Sequence, residues 1–151
     1  MQGKKIFLAA DHGGALLKNA LVVFLEKQGY TVQDFGPQDE KKSVDYPDKA
    51  LELIQAIQKE KSARGVLICT SGIGMSIAAN RYPFIRGALV LNEDMAKMCR
   101  AHNDANVLIF GAKYISVRRA QKCLDIFLKT SFEGGRHKRR VCKLSKMGGK
   151  V

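Results

Sequence analysis

The sequence contains no apolar run near the roughly 18 residues that a membrane-spanning helix requires. Its longest, such as Ala20 to Leu25, are the size of core segments. The first apolar stretch, Ile6 to Ala10, follows Lys4 and Lys5 and ends at the polar pair Asp11-His12, too short for the apolar region of a secretory signal. No membrane is expected as a partner, and the expected location is cytoplasmic. Four cysteines, Cys69, Cys99, Cys123 and Cys142, form no C-x-x-C pair and lie far apart, which argues against a zinc ribbon or a disulfide framework. Reduced thiols and no metal site are the expectation. Internal repeats and low-complexity linkers are lacking as well.

What is there suits one compact folded domain of ordinary size. In 151 residues, 46% are hydrophobic and 26% charged, a composition that builds a core without covalent staples. A single domain spanning residues 1–151 is expected. The formal net charge is +12, unevenly spread, because residues 129–151 carry eight Lys/Arg against one acid. A basic tail from about residue 132, opened by Gly134-Gly135, looks appended to the rest.

Short apolar, β-prone runs recur at Ile6 to Ala10, Thr31 to Phe35, Val66 to Thr70, Ala88 to Leu91 and Val107 to Phe110, giving five strand candidates. Between or after them, apolar residues recur with helical spacing at Leu17/Ala20/Leu21/Phe24, Ala50/Leu53/Ile54/Ile57, Met95/Met98/Cys99/His102 and Ala120/Cys123/Leu124/Phe127. A shorter helix is expected over Ile73 to Asn80, ended before Pro83. Strands alternating with helices predict an α/β fold, a Rossmann-like three-layer α/β/α domain on a five-stranded parallel sheet.

Ligands of such folds bind beyond the carboxyl ends of the strands. Two loops there combine reactive side chains with glycines, Asp11-His12-Gly13-Gly14 and Cys69-Thr70-Ser71-Gly72-Ile73-Gly74. The second opens a helix, whose free N–H groups suit an anion or a developing oxyanion. It lacks the third glycine of a dinucleotide fingerprint and follows the third strand, and no G-K-[ST] triplet occurs. Cys69, at a strand end beside a helix N-terminus, stands where a thiolate is favoured and could act as base or nucleophile. Alternatively it is the last small residue of a buried strand. His102, on an apolar stripe, reads by itself as a buried histidine satisfied by a carbonyl, Asp11 as a helix cap, and Met75, Met95 and Met98 as packing residues. In the tail, Arg136 and Arg140 would share one face of a helix, from which two guanidinium groups could grip a phosphate.

The ordered motifs A-D-H-G-G (10–14), D-Y-P (45–47), I-C-T-S-G-I-G-M-S-I-A-A-N (68–80), H-N-D-A-N (102–106), F-G-A-K (110–113) and E-G-G-R-H-x-x-R (133–140) closely resemble the ribose-5-phosphate isomerase B family, within a wider group that includes galactose-6-phosphate isomerase subunits. The resemblance spans residues 4 to about 143. It implies a cofactor-independent aldose-ketose isomerase that interconverts ribose 5-phosphate and ribulose 5-phosphate through a cis-enediolate.

The resemblance also implies roles. Cys69 matches the thiolate that moves the proton between carbons; other members carry glutamate at the position of Met75, so this chain looks like the cysteine type. The backbone of Thr70, Ser71, Gly72, Ile73 and Gly74 would form the anion hole. His102 matches the histidine that donates a proton in ring opening, with Asn103 holding sugar hydroxyls. Asp11, His12 and Tyr46 match substrate-contacting positions, and Arg136 and Arg140 the phosphate grip, joined by Lys113, where relatives carry arginine.

Because His102 and Asn103 precede the fifth strand, they are expected at the amino edge of the sheet, opposite Cys69. A homodimer or dimer of dimers with shared active sites resolves this, with the Met95/Met98/Cys99 stripe as candidate interface. Isomerisation of a six-carbon sugar phosphate, allose 6-phosphate or galactose 6-phosphate, is the alternative within the family. A nucleic-acid-binding module would be expected to interleave aromatics with its basic residues, yet the tail has only Phe132; an aspartate-phosphorylated receiver would need an acceptor where Cys69-Thr70 stand.

Overall fold

The computed structural model describes residues 5–148. Five strands, β1 (Lys5–Ala10), β2 (Thr31–Asp34), β3 (Arg64–Cys69), β4 (Gly87–Leu89) and β5 (Val107–Gly111), alternate with helices α1 (Ala15–Lys27), α2 (Tyr46–Lys59), α3 (Ile73–Ala79), α4 (Glu93–Ala101) and α5 (Val117–Lys129). A sixth helix, α6 (Arg136–Leu144), closes the described chain. The sheet is parallel throughout, in the order β2-β1-β3-β5-β4. The expected architecture is therefore present.

Side chains of successive strand residues point to opposite faces, and the core divides accordingly. Ile6, Leu8, Val66, Ile68, Leu108 and Phe110 meet α1, α4 and α5 on one face. Phe7, Ala9, Leu67, Cys69, Val107 and Ile109 meet α2 and α3 on the other. Strand polarity places the β1 and β3 loops side by side where the connection order reverses, between neighbouring β1 and β3, which is the crevice that ligands use in open α/β sheets. Local signals set the helix starts. Asn92 Oδ1 accepts from the Met95 N–H at 2.9 Å and Ser116 Oγ from the Arg119 N–H at 3.2 Å, each satisfying a donor that the first helical turn leaves free.

The thin edge strand β2 is tied down by a buried ion pair. Lys18 on α1 is fully buried, and its Nζ donates to Asp34 Oδ2 at 2.6 Å and to Asn19 Oδ1 at 2.7 Å. Asp34 also accepts from the Gly36 N–H at 2.8 Å and from Gln38 Nε2 at 3.1 Å. Burial alone would raise the Asp34 pKa, but the Lys18, Gly36 and Gln38 hydrogen bonds together outweigh it and hold the carboxyl below its ordinary value. A carboxyl lowered by folding adds stability above its unfolded pKa and loses it as pH falls through the folded value. Asp34→Ala, which leaves the Lys18 ammonium buried without a counter-ion, is expected to cost about 3 kcal/mol or more in denaturant unfolding at neutral pH, and the difference from the parent chain should shrink as the pH drops below about 4.

Candidate active site

At the carboxyl edge, the β1 loop is built by its own residues. Asp11 is buried; its Oδ1 accepts from the Gly14 N–H at 3.1 Å and its N–H donates to the Ile68 carbonyl at 3.1 Å. The helix-cap reading of Asp11 thus holds, and it fixes the turn that carries His12. His12 Nδ1 accepts from the Val44 N–H at 3.3 Å, which leaves Nε2 as the ring nitrogen available to a ligand. Gly13 packs so closely on Thr70 that a Cβ there would lie 2.0 Å from Thr70 Oγ1.

The β3 loop follows from Gly72. It takes φ +77°, and a Cβ would come within 2.5 Å of Leu89 Cδ1 and 2.9 Å of the Gly111 nitrogen, so only glycine lets the chain turn here into α3. That turn brings the Gly72 N–H to Cys69 Sγ at 3.1 Å, so the sulfur accepts a backbone hydrogen bond. The Ile73 N–H donates to Ser71 Oγ at 3.2 Å. Two donors expected in an anion hole are therefore used inside the loop, while the Thr70, Ser71 and Gly74 N–H groups donate to no other residue among the described ones. The Tyr46 ring lies over Gly74, where a Cβ would be 2.7 Å from Cζ. The Ala112 and Lys113 N–H groups donate to the Cys69 and Thr70 carbonyls at 2.9 and 3.0 Å, so the chain just past β5 clamps the loop from its other side.

His102, Asn103, Arg136 and Arg140 gather at the opposite edge. His102 caps the C-terminus of α4, five residues before β5 begins, whereas Cys69 stands beside Gly111 at the far end of that strand. A parallel strand advances about 3.3 Å per residue, so the length of β5 separates them. The 102–106 turn is held by Asp104, in a left-handed conformation with φ 48°, whose carboxylate takes Arg100 at 2.9 Å and Arg86 at 3.2 Å. The Glu133 N–H donates to the Ala101 carbonyl at 3.0 Å and so brings the start of α6 to this turn. There His137 is buried and stacks on the half-buried His102, ring centroids 4.1 Å apart and planes within 10°. Arg136 and Arg140, one helical turn apart, are exposed. Asn103 lines a cleft of about 500 Å3 with Asn80, Arg81, Arg86 and Met147; Cys69 is not part of it.

His102, Glu133 and His137 place three donor atoms within 4.8 Å of one another. Two nearly parallel rings cannot both aim an in-plane lone pair at one ion, so this arrangement fits a metal poorly.

One family model matches residues 6–144, described as ribose/galactose isomerase. The chain belongs to this family. It is 38% identical over 138 residues to ribose-5-phosphate isomerase B of Escherichia coli strain K12, covering 91% of this chain and 92% of that one. Among solved structures it resembles ribose-5-phosphate isomerase B of Clostridium thermocellum, with TM-score 0.90, 45% identity and 94% and 95% of the two chains covered. The enzyme from Mycoplasma genitalium, solved with bound ribulose-5-phosphate, gives TM-score 0.91, 37% identity and coverage of 97% and 96%.

Two sequence expectations need correction, the exposed stripe of α4 and the buried-histidine reading of His102. Cys99 does not belong to an exposed stripe: α4 buries Ala96, Cys99 and Arg100, while Met95 and Met98 remain 37% and 39% exposed instead of packed. Lys113 stands at the Cys69 edge, its Nζ 5.8 Å from the Tyr114 ring centroid, whereas Arg136 and Arg140 lie at the opposite edge of the same chain. His102 is not a buried core histidine. Sequence reasoning also missed His137 and Glu133 as neighbours of His102, although both lie within the 133–140 motif. Of the expected tail, residues 149–151 lie outside the described residues.

The thiols divide by environment. Burial pushes Cys99 and Cys123 up to about 11, while Cys142 is exposed on α6. Iodoacetamide near neutral pH is expected to label Cys142 in the native protein and to leave Cys99 and Cys123 unmodified until denaturant is added, as peptide mass mapping will read.

Proposed function

We propose that this chain interconverts ribose 5-phosphate and ribulose 5-phosphate without a cofactor, in a cytoplasmic homodimer whose active sites are shared between subunits. The observation that carries the proposal is the split of the family's motif residues over the two edges of one sheet. The Cys69 loop offers a sulfur and free backbone donors at one edge, and the His102 turn offers imidazole and arginine at the other. A second copy brings the two halves together. A dimer of dimers would preserve the same pairing. The half-exposed Met95 and Met98 on α4 suit such a contact.

In this reading the Cys69 thiolate takes the C2 proton of the open-chain aldehyde. The electron pair passes to the C1 oxygen to give the cis-enediolate, the C2 hydroxyl proton passes to the C1 oxygen, and the carbon-bound proton returns at C1, leaving the carbonyl at C2. Backbone donors of Thr70, Ser71, Gly72, Ile73 and Gly74 surround the developing oxyanion, where one well-aimed donor contributes about 3 kcal/mol; Thr70, Ser71 and Gly74 are those not used within the loop. Asp11, His12 and Tyr46 line the sugar, Asn103 holds hydroxyls, and His102 protonates the ring oxygen during opening. Arg136 and Arg140 grip the phosphate, with Lys113 supplying charge from the other half-site. The family description also covers galactose, so a six-carbon sugar phosphate is the second reading. A coupled assay with ribose 5-phosphate, allose 6-phosphate and galactose 6-phosphate in competition separates them.

Cys69→Ala should abolish isomerisation with the fold and sugar-phosphate binding retained, and near-parental kcat in that variant would remove Cys69 as the base. Mixing Cys69→Ala with His102→Ala chains should restore roughly a quarter of parental activity, because half of randomly reassociated dimers carry one intact site of two. Background activity despite subunit exchange verified by mass spectrometry would place both residues in one chain's site. Arg140→Ala should raise KM for ribose 5-phosphate by about tenfold or more and change little for slow turnover of free ribose; equal losses on both sugars would make α6 structural.

A further inference from the structure

Among the basic groups at the amino edge stands one carboxylate that the proposed mechanism does not use. Glu133, ahead of α6, places Oε2 3.6 Å from His137 Nε2 and 3.8 Å from His102 Nε2. These are ion-pair distances, and the same oxygen serves both rings. The rings lie face to face, and two imidazolium ions in such contact repel, so the pair is suited to hold one proton at a time. The groups acting on His137 are His102 from α4 and Arg136, Arg140 and Glu133 from the α6 segment. Burial first, then His102 and Arg136, hold His137 below its ordinary value, and Glu133 acts against them. Without that carboxylate, burial, His102 and the two arginines would lower His137 unopposed.

We propose that Glu133 is a positioning residue for ring opening: its carboxylate, shared between the stacked His102 and His137, keeps on that pair the proton that the sugar's ring oxygen must take. The role rests on the isomerase reading above. In the step it serves, the bond between C1 and the ring oxygen breaks and its electron pair goes to that oxygen, which takes the imidazolium proton and becomes the C4 hydroxyl. The C1 hydroxyl loses its proton to water as the C1 carbonyl forms. Ribulose 5-phosphate needs no such step, because its phosphorylated C5 oxygen leaves it unable to close a five-membered ring.

Glu133→Gln keeps the side chain's size and removes its charge. Its kcat on ribose 5-phosphate should fall about tenfold with KM changed by less than about twofold, while solvent-deuterium exchange into C1 of ribulose 5-phosphate stays within about twofold of the parent. Equal loss in both reactions, or loss in neither, would overturn the role. In an imidazole NMR titration the same variant should move His137 further down, because the one group raising it is gone; an unmoved His137 would refute the shared contact. A parent chain that neither isomerises nor exchanges would end the enzymatic reading, and this positioning role with it. The titration would still decide whether the carboxylate holds the pair's proton.

Discussion

All five strands of the sheet point the same way, and the rest of the molecule is arranged around that polarity. Every strand exit lies at one edge, so Asp11, His12, Cys69 and Lys113 must emerge together. Every helix-to-strand return lies at the other, so the turn of His102 and Asn103 cannot reach them within the same chain. A parallel sheet thus hands a bifunctional chemistry to two separate surfaces. In the proposed homodimer a second sheet presents its opposite edge, and a two-fold axis does so twice, giving two equal sites.

The two half-sites are also built by different means. At the carboxyl edge, precision comes from the backbone. Gly72 turns left-handed under Leu89 and Gly111, its N–H meets Cys69 Sγ, and the amides just past β5 clamp the loop carbonyls. Nothing there depends on long flexible side chains. At the amino edge, by contrast, position is set by ion pairs: Asp104 is pinned between Arg86 and Arg100, and Glu133 lies between two stacked imidazoles. Such contacts weaken with salt and with titration, whereas a backbone clamp does not.

Much of this was legible in the sequence because its signals were local. Strand and helix periodicity gave the sheet, the glycines after Cys69 gave the loop, and the spacing of Arg136 and Arg140 matched α6. The exposure of α4 was not legible. Counting apolar letters chose a face of methionines and cysteine, while the fold buries Ala96 and the long stem of Arg100, whose head finds Asp104 and the Ala105 carbonyl. Small residues and satisfied arginines make a core that hydropathy does not score. The His102–His137 stack was invisible for another reason: it joins residues far apart in sequence through the return of α6, and no local pattern encodes that return.

The charge distribution follows the same logic of halves. Cys69 and Gly72 are buried while Thr70 and Ile73 are exposed, and residues 69–74 include no acidic or basic side chain, which suits the carbon-to-carbon proton transfer proposed for this loop. The exposed arginines of α6 suit capture, since a surface guanidinium attracts a phosphate dianion at a distance while keeping its own hydration until contact. Surplus charge on the tail therefore need not signal a nucleic acid. It concentrates attraction beside the turn that carries His102, and the one acid left among those basic residues, Glu133, stands where it keeps a proton available to the histidines instead of neutralising the arginines that flank them.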